Sequence, residues 1–386
     1  MANVIDYIKW RGDLTFSQSE FNEIDALILS QLSYLKYDNL MSYNDFTEGI
    51  SLGNLSFEFA SSQDYQERAD TGLLINKDTI ELLYIAGNSI RFRDVIIYGY
   101  VSVINEKKQE QFSALTYNLY DKNYFIAYRG TDDTIIGWKE DFNLAIKEVV
   151  PAQKDAVVYL ENVADKLKGS FFIGGHSKGG NLAIYATAMV SSKIKKHVEK
   201  IYNFDGPGFS SKKINSPEFT EIIPKIKSYF PHFAIIGMVF YRAGSYSIVD
   251  SSESGMMQHD PMSWNVCGNK FIMLENFHSA SEYLSKTLNS CINQLEQNQI
   301  ELLIETIFEI IQATNAKTNS DLEDNLFQNS KKIIAAVTRL DSNTRKAVEK
   351  IMKQILKIAK NQLPEYNNYF ELSKRYLETK RLKGKV

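Results

Sequence analysis

Cysteine is scarce in this chain of 386 residues, which contains only Cys267 and Cys291. Two lone cysteines supply neither the paired C-x-x-C spacing of a structural zinc site nor the repeated pairs of a disulfide scaffold. The sequence therefore excludes both kinds of small crosslinked domain, and we expect the protein to work in a reducing compartment.

Long hydrophobic runs are also missing. The most apolar stretch, residues 233–241, is far shorter than the roughly 20 residues that span a bilayer. Residues 1–20 lack the basic start and the apolar block of a secretory signal. We therefore expect no stable membrane insertion and a cytoplasmic location.

Neither sign of charge dominates the composition. The 44 basic and 47 acidic side chains give a formal net charge of -3. This balance lacks the basic excess that binds a phosphate backbone, so we expect no nucleic-acid partner. The hydrophobic fraction of 44% is that of an ordinary globular protein, and the chain is long enough to bury a large core.

Hydrophobic spacing changes twice along the chain. Apolar residues recur every three or four positions in 21–32 and again from about residue 280, which predicts helices. Between these regions, β-branched and aromatic runs alternate with helical segments, as in βαβ crossovers. The sequence therefore predicts an α/β fold, a mostly parallel sheet with helices on both faces. Residues 227–240 are included among the strands, with His232 opening an apolar one.

The same changes divide the chain into three regions. Residues 1–90 form a helical extension packed on the core, residues 91–280 form the α/β core, and residues 281–386 form a helical region. The last region is interpreted as a cap over the site or as an oligomerisation surface, and the sequence does not choose between them.

One short segment, FFIGGHSKGGNLA at 171–183, has the character of a catalytic turn. Its G-x-S-x-G string alone is weak, since roughly one chain in ten of this length would contain it by chance. Here, however, it lies between an apolar strand and an alanine-rich helix, where the glycines allow strand and helix to approach. Ser177 is therefore the predicted nucleophile.

A nucleophilic serine needs a base, and the chain has five histidines. His176 adjoins the serine and should point away from its hydroxyl, His197 lies in a charged helix end, and His232 is assigned to a strand. His259 lies in a loop after the last predicted strand, where a mobile base is normally carried, and is the predicted base. His278 is the reserve.

The acid of such a triad lies between the serine and the histidine in the chain. Asp205 directly follows a predicted strand, so its carboxylate would emerge at the sheet edge where ligands bind. Asp250 ends the strand before the histidine loop and is the alternative, although it could simply cap the following turn. Asp260, next to the histidine, ranks third, and Asp205 is favoured.

Acyl transfer also needs N–H donors for the developing oxyanion. The residue after the nucleophile, Lys178, supplies one backbone N–H. The loop YRGT supplies the other through the backbone of Thr131, whose hydroxyl is expected to lock the loop.

Four motifs occur in order, namely YRGT, Trp138-x-x-Asp141, GGHSKGGNLA and NFDGPGF. With them, residues 95 to about 270 resemble the class 3 lipase-like branch of the α/β-hydrolases. The segments DYIKWRGDLTF and QHDPMSW extend the resemblance to a bacterial group of mostly uncharacterised lipase-like proteins. The resemblance implies an α/β-hydrolase fold, Ser177 as nucleophile, His259 as base, and the backbones of Thr131 and Lys178 as oxyanion hole.

Two further assignments accompany this resemblance. Class 3 lipases usually carry the acid after a later strand, where this chain has no carboxylate, whereas some other lipases carry it in a segment similar to FDGPGF, which supports Asp205. Substrate contacts are assigned to Asp132, His176 and Trp138. The segment 134–146 lies in the position of a lipase lid and is interpreted as an interfacial flap or as plain helix core.

The predicted function is a serine hydrolase of carboxylic esters. It would act on a small-molecule or lipid ester through a Ser-His-Asp triad and an acyl-enzyme, without a cofactor. The alternative is a binding or scaffold protein with a vestigial site. A vestigial site has no physical need for a strained serine turn, which favours the enzyme.

The two candidate acids give opposite expectations on mutation. Asp205→Asn should lower ester turnover by several orders of magnitude, because the base loses the carboxylate that orients it. Asp250→Asn should leave turnover near the wild-type rate. Steady-state kinetics of both variants checks this, and the reverse pattern would make Asp250 the acid.

Overall fold

The computed structural model describes residues 1–144, 146–324 and 326–383. The helices are α1 (Val4–Arg11), α2 (Glu23–Leu32), α3 (Leu52–Ser61), α4 (Tyr65–Arg68), α5 (Asp78–Asn88), α6 (Ile135–Asn143), α7 (Pro151–Lys166), α8 (Lys178–Met189), α9 (Ser192–Lys195), α10 (Ser211–Ile214), α11 (Pro217–Thr220), α12 (Ser279–Gln294), α13 (Gln297–Gln312), α14 (Asn319–Asp324), α15 (Leu326–Arg339) and α16 (Ser342–Lys383). The predicted helical region 281–386 ends in residues 384–386, which lie outside the described residues.

Seven strands lie between residues 96 and 249, in the region where the sequence predicts strands alternating with helices. The strands of the whole described chain are β1 (Ile50–Ser51), β2 (Ile96–Asn105), β3 (Glu110–Tyr120), β4 (Asn123–Tyr128), β5 (Ser170–His176), β6 (Val198–Phe204), β7 (Ile226–Pro231), β8 (Ser245–Val249), β9 (Val266–Cys267), β10 (Lys270–Phe271) and β11 (Met273–Leu274).

Nine strands form one mixed sheet in the order β1-β2-β3-β4-β5-β6-β7-β8-β11. The five central strands, β4 to β8, pair in parallel. Strands β1 to β4 pair antiparallel on one side, and β11 pairs antiparallel with β8 on the other. The expectation of a mostly parallel sheet therefore holds for the centre only, because the chain enters the sheet through hairpins rather than crossovers.

Hydrophobic clusters cover both faces of this sheet. In β4, Phe125 and Ala127 point into one cluster with α2, whereas Tyr124 and Ile126 point into the other with α7 and α8. This alternation follows from the two-residue period of a strand. Helices therefore cover both faces of the central strands.

The order of the parallel strands explains which helices cover which face. Strands β4, β5 and β6 are neighbours in both sequence and space, so right-handed crossovers place α7 and α8 on the same face. The opposite face is left to the N-terminal helices, and α1, α2, α3 and α5 supply its cluster. The first ninety residues therefore complete the core.

The apolar run at 233–241 is not a strand, which corrects the prediction for residues 227–240 and for His232. Strand β7 ends at Pro231, and the run continues as a loop with a short 3-10 turn at Ile236–Met238. Its apolar residues Ala234 and Met238 are buried beside Phe230 and under α12 rather than in the sheet. An apolar run can be buried under a helix as well as within a sheet, so its hydrophobicity alone does not predict a strand.

A buried ion pair fixes the N-terminal helices to the core. Arg91 pairs with Asp25 on α2, both side chains are fully buried, and Tyr7 on α1 donates a hydrogen bond to the same carboxylate at 3.0 Å. The guanidinium also donates to the backbone carbonyls of Leu14 and Ser19. This network joins three segments of the chain at one point.

The C-terminal helices contact α6 and the loop that precedes it. Helix α13 packs on α6 through Ile304 and Phe308. The first turn of α14 donates to Asp133, whose carboxylate accepts hydrogen bonds from the backbone N–H and the hydroxyl of Ser320. Within the described chain, no helix is both long and apolar enough to cross a membrane. The division at residues 90 and 280 stays a prediction.

Removing one partner of the buried ion pair should destabilise the fold. Asp25→Ala leaves Arg91 buried without its carboxylate, and we expect the free energy of unfolding to fall by about 3–5 kcal/mol. Glu81→Ala is the matched control, since it breaks the exposed 3.6 Å pair with Lys9 and should cost less than about 1 kcal/mol. Urea unfolding of both variants checks this, and equal losses would contradict it.

Candidate active site

Ser177 occupies a strained turn between β5 and α8. Its φ of 55° and ψ of -131° lie where L-residues are rarely found. A Cβ on Gly179 would lie 2.0 Å from the carbonyl oxygen of Tyr128, and one on Gly175 would lie 2.4 Å from the same atom. Both glycines are therefore required by the close approach of the turn to β4. The predicted approach of strand and helix is also present, since a Cβ on Gly175 would lie 2.5 Å from the carbonyl carbon of Gly179.

The predicted base and the favoured acid are hydrogen-bonded to each other. The Nδ1 atom of His259 lies 2.6 Å from Oδ2 of Asp205, which follows β6. The other carboxylate oxygen accepts the backbone N–H of Gly237 at 3.2 Å. Burial raises the pKa of Asp205, and the hydrogen bond and charge of His259 oppose the rise.

The alternative acid is occupied elsewhere. The carboxylate of Asp250 accepts a hydrogen bond from the Asn265 side chain at 2.9 Å. Asp260 accepts from the side chain of Asn76 and from the backbone of Met262. Of the three aspartates weighed, Asp205 is the one that bonds to His259, although its catalytic role stays a prediction.

The serine turn lies beside the histidine loop and the loop YRGT. The imidazole rings of His176 and His259 are 4.5 Å apart between centroids, and a Cβ on Gly130 would lie 3.1 Å from Cβ of Ser177. Within the part of the chain that the structure describes, the Ser177 hydroxyl has no hydrogen-bond partner. Catalytic hydrogen bonds are often long in ligand-free sites and tighten when substrate binds.

The two predicted oxyanion donors have free backbone N–H groups. Lys178 is the first residue of α8, where the helix offers its N–H no acceptor. Neither this group nor the N–H of Thr131 has an acceptor among the described residues. The Thr131 hydroxyl donates to Asp141 Oδ2 at 2.6 Å, so the side chain does lock its loop.

Two neighbouring carboxylates on α6 hold this part of the site, and sequence reasoning gave neither a role. Asp141 holds Thr131, while Glu140 is fully buried and accepts from Nζ of Lys178 at 2.8 Å. The Lys178 amine also donates to the backbone and side chain of Gln111. The Trp138-x-x-Asp141 motif in the sequence indicates a role for Asp141. No sequence motif indicates a role for Glu140, apart from its position next to Asp141.

The three predicted substrate contacts are engaged by protein partners. Asp132 accepts from Arg129 at 3.2 Å and from the backbone of Thr134. His176 uses both ring nitrogens within the protein. Trp138 is partly buried against the cluster between α6 and α13, and both interpretations of its segment stay predictions. The substrate contacts of the three residues also stay predictions.

The remaining histidines form no hydrogen bond with Ser177 or Asp205 in the part of the chain that the structure describes. His197 is exposed, as expected for a charged helix end. The Nδ1 atom of His232 lies 2.9 Å from the backbone carbonyl oxygen of Asn276, and His278 caps α12 by accepting the backbone N–H of Ala280. His278, the second candidate for the base, therefore has a structural role as the N-cap of α12.

This chain is similar to a known protein family and, distantly, to a solved structure. The model of a family described as Mbeg1-like matches residues 86–309, more than half of the chain. No curated protein matches. Among solved structures, the crystal structure of M37 lipase is 13% identical, with a TM-score of 0.31, over 57% of this chain and 70% of that one.

The environment of Asp141 predicts a pH effect on stability. Burial raises its pKa to about 6, against the opposing charge of Lys178 and the hydrogen bond from Thr131. The folded state therefore holds this proton more tightly than the unfolded chain, whose carboxyl pKa is about 4. Protonation of Asp141 therefore stabilises the folded state fully below about pH 4, and this stabilisation is lost as the pH rises through about 6.

Asp141→Asn removes this titration while keeping an acceptor for Thr131. Between pH 4 and 6 the wild type should lose stability relative to the variant by up to about 1.4 kcal/mol per pH unit. Urea unfolding at several pH values measures this difference. A difference that stays constant over this range would contradict the raised pKa.

Proposed function

The chain belongs to the Mbeg1-like family, a lipase-like family, and from this premise we propose that it is a serine hydrolase of carboxylic esters. The proposal includes an α/β-hydrolase fold of the class 3 lipase-like kind. It also includes a bacterial source and a cytoplasmic location. One observation carries it: a buried aspartate bonds to a histidine beside a serine held in a strained turn.

The hydrogen bond to Asp205 determines what His259 can do. Because a carboxylate accepts, Nδ1 of His259 carries the proton and Nε2 is left as an acceptor. In the proposed reaction Nε2 takes the proton of the Ser177 hydroxyl while the oxygen attacks the ester carbonyl. The buried carboxylate of Asp205, hydrogen-bonded to the ring, then stabilises the imidazolium.

The following steps need the two backbone donors. As the carbonyl oxygen becomes negative, the N–H groups of Thr131 and Lys178 would stabilise it, each worth about 3–4 kcal/mol in the barrier. The imidazolium returns its proton to the leaving alcohol, and an acyl-enzyme forms on Ser177. Water, deprotonated by His259, then releases the carboxylic acid.

The anchoring of these donors supports the enzyme over a vestigial site. The buried Lys178–Glu140 pair and the Thr131–Asp141 hydrogen bond hold both donor residues from α6. A preorganised oxyanion hole lowers a barrier because the dipoles need no rearrangement during reaction. A small-molecule or lipid ester is the proposed substrate, and the C-terminal helices stay candidates for a cap or an oligomer contact.

Covalent labelling tests the proposal directly. A fluorophosphonate should label the wild type, and hydrolysis of p-nitrophenyl esters of increasing chain length should follow. Ser177→Ala and His259→Ala should each abolish ester turnover while the thermal unfolding transition is kept. Ser170→Ala, at the opposite end of β5, is the matched control and should label like the wild type.

The outcome separates the two functions considered. Labelling of the wild type and of Ser170→Ala, but not of Ser177→Ala, establishes a serine hydrolase. Absence of labelling in all three proteins, each folded, would contradict the hydrolase and leave the vestigial scaffold.

A further inference from the structure

Tyr34 brings a hydroxyl from the N-terminal region to the serine turn. It follows α2 by two residues, its side chain is 6% exposed, and its hydroxyl lies 3.0 Å from Nδ1 of His176. His176 directly precedes Ser177. A residue far from the motifs of the core therefore contacts the catalytic turn.

The second ring nitrogen of His176 determines the direction of this hydrogen bond. Its Nε2 atom lies 2.8 Å from the backbone carbonyl oxygen of His259. A carbonyl only accepts, so Nε2 must carry the hydrogen, and in the neutral ring Nδ1 is then an acceptor for the Tyr34 hydroxyl. Burial and the charge of His259 lower the pKa of His176 well below its ordinary value, which keeps the ring neutral.

The same hydroxyl lies against the loop that carries the second oxyanion donor. A Cβ on Gly130, the residue before Thr131, would lie 2.1 Å from the Tyr34 hydroxyl oxygen. The hydroxyl also lies 3.4 Å from the backbone carbonyl oxygen of His176. Three segments therefore meet at one side chain: the oxyanion loop, the serine turn and, through the His176 ring, the loop of the base.

We propose that Tyr34 is a positioning residue of the hydrolase site, which holds the His176 ring in the orientation that donates to the backbone carbonyl of His259. Without the hydroxyl, the buried Nδ1 atom of His176 loses its donor and the ring loses one of the two hydrogen bonds that orient it. The bond from Nε2 to the His259 carbonyl then weakens, and the loop of the base is held less firmly. The proposal rests on the proposed function only where it concerns turnover.

Tyr34→Phe removes the hydroxyl and keeps the ring. We expect kcat on a p-nitrophenyl ester, and the rate of fluorophosphonate labelling, to fall about tenfold, the rate equivalent of one lost hydrogen bond. KM should stay near the wild-type value, because the buried Tyr34 hydroxyl bonds to His176 within the protein rather than facing solvent. A fall in kcat with unchanged KM is the signature of lost positioning.

Tyr37→Phe is the matched control. Tyr37 lies three residues further along, is fully buried, and donates its hydroxyl to the backbone carbonyl of Leu32 at 2.9 Å. Its deletion removes the same kind of hydrogen bond from the same region without touching the site. We expect kcat within about twofold of wild type, and equal losses in both variants would overturn the proposal.

Nitrogen-15 NMR of the histidine rings tests the positioning without activity. Wild-type His176, assigned with His176→Gln, should show protonated Nε2 and hydrogen-bonded Nδ1, and Tyr34→Phe should shift both signals. An unchanged spectrum of folded Tyr34→Phe overturns the proposal. Protonated Nδ1 in the wild type also overturns it, and this second result does not depend on whether Tyr34→Phe folds. Absence of labelling in the wild type contradicts the hydrolase instead, and the spectra then still decide the role of Tyr34.

Discussion

Ser177 is held in a backbone conformation that costs roughly 1–3 kcal/mol, and much of the surrounding structure serves to hold it there. The turn is pressed against β4, where the Tyr128 carbonyl leaves no room for a side chain on the flanking glycines. The first residue of α8 is tied down separately, since the buried amine of Lys178 pairs with Glu140. Strain at this point survives because packing on both faces of the sheet over-determines it.

The sequential order of the parallel strands has a consequence for the site. It places α7 and α8 on one face, and the N-terminal helices must cover the other. The segment that follows α2 is thereby carried to the serine turn, where Tyr34 meets His176. The N-terminal region thus contributes both to the core and to the geometry around the histidine loop.

The C-terminal helices contact the site from the other side. Ser320 holds Asp133, two residues after Thr131. Helix α12 holds the loop that contains Gly237, because Ser281 donates to the carbonyl of Ala234. Gly237 in turn donates to the Asp205 carboxylate. Loops on both sides of the histidine–aspartate pair are therefore supported by residues after 278.

The sequence by itself predicted the serine turn and the central strands, because glycine spacing and apolar runs are local properties. It also named His259 as the base, which stays a prediction. The apolar run at 233–241 misled it, since helix and sheet bury such a run equally well. Only the tertiary structure decided that Asp205 rather than Asp250 bonds to His259, a contact across 54 positions, and brought Tyr34 to His176 across 142. Such pairings depend on how strands and helices pack together, which the order of residues along one segment does not contain.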